Sequence, residues 1–84
     1  MVELHVSRED AGAVERAAHL THRAAQQMTR LGTPVRYLRS IYVRDDETCF
    51  LLYSAETADA VREAANATGR PFEHVAEVIE ELIT

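Results

Sequence analysis

His19 and His22 stand three residues apart in a segment whose spacing predicts a helix, so both imidazoles fall on one helical face. Glu15 lies four residues before His19 and Gln26 four after His22, which extends that face in both directions. Imidazole beside carboxylate is a donor set that suits nickel, zinc or another divalent transition metal. Glu15, His19 and His22 with open positions left over would hold such an ion. The plainer reading is a solvated helix face, because His-x-x-His carries no long spacing code.

A second group sits on predicted strands. His5 alternates with Leu4 and Val6 and so points away from their face. Tyr37 and Arg39 share a face of a later strand, and alternation puts Tyr42 on the other. His5 as acid or base, Arg39 as anion holder and Tyr37 or Tyr42 as walls would make a small-molecule pocket. Arg36, Arg39 and Arg44 gather round that one strand, and guanidinium offers a planar fork for carboxylate or phosphate. Cys49, in an apolar run without an adjoining basic group, reads as an inert core thiol. His74 reads as a turn residue. A nucleophile elbow, a phosphate-cradling glycine loop and a Cys-x-x-Cys pair are absent from the sequence, and three glycines leave little for a nucleotide cofactor.

Composition bounds these options. Eighty-four residues make one domain, residues 1–84, with a limited core that a second copy could enlarge. The net charge of -5 argues against general nucleic-acid binding, which needs basic residues to replace phosphate counterions. A single cysteine fits a reducing compartment. The first residues lack a basic region and a long apolar run, and nothing approaches a membrane-spanning length, so a cytoplasmic protein is expected.

The elements that must position the candidate residues follow from period and punctuation. Val2, Leu4 and Val6 alternate as a first strand. Ser7-Arg8-Glu9-Asp10 resembles a capping box, and Val14, Ala17, Ala18, Thr21, Ala24, Ala25, Met28 and Leu31 form the apolar stripe of a helix. Run from residue 8 to 31 that helix would measure about 36 Å, long for this domain, and a break near Gly12 would shorten it. Gly32 and Pro34 end it. Residues 35–43 and 48–53 read as strands joined by the polar turn 44–47. The second of these strands is almost wholly apolar and so belongs in the middle of a sheet or under cover on both faces. Two helices cannot cover both faces, which predicts a dimer. Thr57 caps a second helix with a stripe of Val61, Ala64, Ala65 and Thr68, ended by Gly69. The tail is ambiguous: Phe72, Val75, Val78, Ile79, Leu82 and Ile83 fit a helical period, yet Val75 to Ile79 also suits a strand.

Pro34 to Val43, with its Tyr37-Leu38-Arg39-Ser40 strand, and the hairpin Asp46-Glu47-Thr48-Cys49-Phe50 resemble the core signature of a small bacterial family of largely unknown function. That family is named for a nickel-binding protein of Streptomyces. Ala60-Val61-Arg62-Glu63-Ala64 and Gly69-Arg70-Pro71-Phe72 fit the same pattern. The resemblance implies an α+β, ferredoxin-like β-α-β-β-α-β sandwich: a four-stranded antiparallel sheet with two helices on one face, dimeric, with the tail as fourth strand. It also implies nickel as a possible ligand, although the family's ligands do not align residue by residue here. Three functions remain open: a metal- or small-ligand-binding protein, a cofactor-free enzyme of isomerase, cyclase or monooxygenase type, and a non-catalytic interaction module.

Overall fold

The computed structural model describes residues 1–78. Its elements run β1 (Val2–His5), α1 (Ala13–Arg30), β2 (Val35–Val43), β3 (Thr48–Ala55), α2 (Ala58–Ala67) and β4 (His74–Val75). The strands form one sheet in the order β2-β3-β1-β4, every neighbouring pair antiparallel. The apolar β3 therefore lies inside the sheet, as its composition predicts. None of the helices described is long and apolar enough to cross a membrane.

One sheet face carries the core. Val2 and Leu4 of β1 lie beside Leu51 and Cys49 of β3, and all four are buried against Ala13 and Ala17 of α1 and Val61 and Ala65 of α2. A second cluster joins Ala25 and Met28 to Val35, Ala60 and Ala64, and Tyr37, Tyr53 and Ala55 bridge the two. Alanine on both helices removes the side-chain spacer, so helix backbone sits close to the sheet. Both helices thus share one face.

The start of α1 departs from the capping-box reading. Ser7 Oγ accepts the Glu9 N–H at 3.2 Å, a local turn, and the helix begins only after Gly12, whose φ of 83° needs glycine. The shorter of the two expected helices is the one that forms. Its other end matches expectation. Gly32 takes φ 105°, its N–H bonds to Thr29 O at 3.2 Å, and Thr33 N–H reaches Met28 O at 2.9 Å. This is the paired closure by which a left-handed glycine satisfies the last carbonyls of a helix. Leu31, assigned to the buried stripe, instead caps α1 and is 78% exposed.

The tail pairs as a strand at its start. Val75 lies opposite Val2 and His74 opposite Glu3, so His74 is a strand residue and not a turn residue. The Glu73 and Ala76 N–H groups add bonds to Glu3 O and Met1 O at 2.8 and 2.9 Å. The strand expected over 75–79 thus begins one residue earlier; residue 79 of that reading, and 79–83 of the helical alternative, lie outside the described residues.

Candidate functional site

A β-bulge in β2 rearranges the strand residues. Tyr37 pairs with Tyr53, and the next pair is Arg39 with Leu52, so Leu38 is an extra residue. An extra residue reverses the alternation beyond it. Tyr42 consequently lies opposite buried Cys49, on the same helix-covered face as Tyr37, and Arg39 turns to the outer face. Both parity expectations are corrected: Tyr37 and Tyr42 share a face, and Tyr37 and Arg39 do not. His5, opposite Thr48, is exposed on the outer face as alternation predicts. Tyr42 donates its hydroxyl to Val6 O at 2.6 Å, which ties β2 to the end of β1. The Tyr53 hydroxyl is buried and has no hydrogen-bond partner among the described residues. Burial pushes its pKa up, and Thr21 beside it pulls more weakly the other way.

On α1, Glu15 and His19 approach to 3.9 Å between Oε1 and Nε2, and both are largely exposed. His22 turns elsewhere: its ring centroid lies 6.3 Å from that of Tyr37, at an interplanar angle of 47°. Tyr37 in turn meets Tyr53 edge-on, again at 6.3 Å. Two donors of the expected metal set therefore converge and the third packs toward the sheet edge. Among the described residues, no three His, Cys, Asp or Glu side chains come together in a way that could hold a metal ion. The described side chains do not fit nickel as a closed, protein-built site.

Cys49 is fully buried, and burial pushes its thiol pKa up against a weaker pull from Arg70. That is the environment of an inert core thiol.

The contact of His22 with Tyr37 marks a groove between α1 and the free edge of β2. Its volume is about 410 Å³, and its walls include His22, Gln26, Arg30, Arg36 and Tyr37. Thr29 fixes the groove: its Oγ1 donates to Val35 O at 2.9 Å and accepts the Val35 N–H at 3.1 Å. Sequence reasoning placed His22 and Gln26 on one helical face and Arg36 and Tyr37 on a strand, without joining the two pairs, and missed Thr29 and Arg30. Residues 22, 26, 29 and 30 do share one helical face, so the signal was present, but pairing that face with the start of β2 required the packed fold.

Two helices over a four-stranded antiparallel sheet define a two-layer α+β protein. The chain belongs to the family described as Nickel responsive protein SCO4226-like, whose family model matches residues 1–78. This bears out the resemblance carried by the Tyr37-Leu38-Arg39-Ser40 strand and the hairpin after it. No curated protein and no solved structure matches the chain.

Proposed function

We propose that the protein is a small homodimeric metal- or ligand-binding protein with the ferredoxin-like arrangement, joined through its outer sheet face. The arrangement is supported by the order β2-β3-β1-β4, with α1 leading from β1 to β2 and α2 from β3 to β4.

The observation that carries the dimer is the outer face itself. Leu38 and Ile41 are 42% and 49% exposed, and half-buried Phe50, Leu52 and Val43 extend the same apolar surface. Both helices lie on the other side. A soluble protein gains by covering such a patch, and a second copy offers an identical one.

Metal contacts in this reading start from Glu15 and His19, and His22, packed toward Tyr37, would join them only by turning its ring outward. The remaining coordination positions fall to water or to donors from elsewhere. The family's description as nickel responsive supports nickel as the first ion to try. A cytoplasmic location suits the single buried thiol of Cys49.

Nickel titrated into chelator-treated protein tests the metal part. The parent chain should take up nickel at least about tenfold more tightly than a His19→Ala/His22→Ala variant, as loss of two imidazole donors implies. Equal, weak uptake by both would remove Glu15, His19 and His22 from the account.

A further inference from the structure

We propose that the outer sheet face is a pH switch, in which proton uptake by His5 and His74 separates the two copies. The inference rests on the sheet-to-sheet homodimer and names what governs that joint.

Alternation places both imidazoles on this face. Val75 lies opposite buried Val2, so its neighbour His74, opposite Glu3, points to the other side of the sheet. His5, opposite Thr48, stands on the same side. Both are exposed in one copy. The remaining histidines, His19 and His22, belong to α1, in the layer on the opposite side of the sheet.

A joint between copies takes both imidazoles in. Strands lie about 4.8 Å apart, so four of them make a face under about 20 Å wide. An ordinary interface covers about 800 Å² on each partner. The apolar residues of β2 and β3 span only half the width of the sheet, so a joint of that size extends over β1 and β4, where His5 and His74 stand.

Charge decides what a proton does there. The ionised side chains on this face are Glu3 of β1 and Arg36 and Arg39 of β2. The outward residues of β3 (Thr48, Phe50, Leu52 and Ser54) carry no charge. The Met1 amino group, bonded to Ala76 O at 2.7 Å, adds to the positive side. Arg44, Asp45, Asp46 and Glu47 border the hairpin end, and Glu47, which attracts His5, is engaged by the Arg8 N–H at 3.0 Å. With neutral imidazoles, two arginines stand against one glutamate on each face. Protonation of His5 and His74 doubles the cations, and Glu3 can offset only one of the two imidazoliums. Two such faces then meet across a dry joint, where like charges repel and an imidazolium loses its water. The proton therefore binds the separated face better than the joined one, and by linkage falling pH favours single copies. Histidine changes charge between about pH 5 and 8, which sets the window.

Sedimentation equilibrium of the full chain at about pH 8 and about pH 6 tests this, with circular dichroism at both to follow the fold. The lower value stays above the isoelectric point of about 5.2. The loss of net charge on the way toward that point would by itself favour association, so separation runs against the general trend. The dimer dissociation constant should rise at least about tenfold at the lower pH, with the circular dichroism unchanged. A His5→Gln/His74→Gln variant should stay dimeric at both pH values, and a His19→Gln/His22→Gln variant should respond as the parent does. His74→Gln alone serves if the first variant does not fold, and its rise should be smaller than the parent's. An equal dissociation constant at both pH values, or a His5→Gln/His74→Gln variant that still separates, would overturn the switch and leave the dimer standing. Separation that comes with loss of circular dichroism would also overturn it, as acid unfolding. A parent chain already monomeric at about pH 8 would overturn the switch and the homodimer together.

Discussion

At the residue scale, the side chains that matter are those whose polar atoms the fold has placed deliberately or left alone. Tyr53→Phe removes a hydroxyl that has no hydrogen-bond partner among the described residues, so thermal melting should be unchanged or slightly raised. Tyr42→Phe removes a bond to Val6 O and strands a carbonyl, at a cost of about 1 kcal/mol. Denaturant melts of the two variants should therefore separate, and equal losses would contradict these assignments. Glu47 gives a pH dependence. Its carboxylate is held below the usual range, chiefly by the Arg8 backbone N–H it accepts at 3.0 Å. The folded pKa lies below the unfolded one. The contribution is therefore present above the ordinary carboxylate range and lost as pH falls through the lowered one. Glu47→Gln should flatten the acid side of the melting profile, and an unchanged profile would refute this. Composition already made Cys49 a core thiol and alternation already turned His5 outward. The fate of each tyrosine hydroxyl was not legible, because it depends on which carbonyl comes within reach across the sheet.

At the element scale, boundaries set by a single residue type were readable and those set by register were not. Gly32, Thr57 and Gly69 end or begin helices as their chemistry requires, and Thr57 Oγ1 accepts the Ala60 N–H at 3.1 Å. Thr57→Ala should cost about 1 kcal/mol in a denaturant melt. The bulge at Leu38 left no such mark. The run Val35 to Val43 reads as one uninterrupted strand, and only pairing with β3 reveals the extra residue that brings Tyr37 and Tyr42 onto one face. The candidate site was therefore only half legible: the residues of the groove were visible on α1 and β2, but their juxtaposition was not. The helix-like period of the tail was misleading for a related reason. His74 and Val75 gain partners on β1, and those bonds outweigh a local preference over so few residues. The Thr29–Val35 clamp offers a further check. Thr29→Val leaves the Val35 N–H and C=O without that partner and should lower stability by about 1–2 kcal/mol. Loss of order at the α1–β2 groove should accompany it.

At the scale of the whole molecule, the sequence argument that two helices cannot cover an apolar central strand on both faces leads directly to the exposed outer sheet. Burial there is incomplete in one copy, with Leu38 and Ile41 open to water, and the face turned to the helices is already filled. Sheets that pack face to face lie about 10 Å apart, close enough for these side chains to interdigitate. The most direct test is sedimentation equilibrium of the purified chain beside an Ile41→Asp variant. The parent protein should sediment at twice its chain mass of 9.4 kDa, and the variant, with a charge set into the joint, should fall to one chain while keeping its helical and sheet circular dichroism. A parent protein that stays at one chain mass at every concentration, or a variant that stays dimeric, would contradict the sheet-to-sheet homodimer.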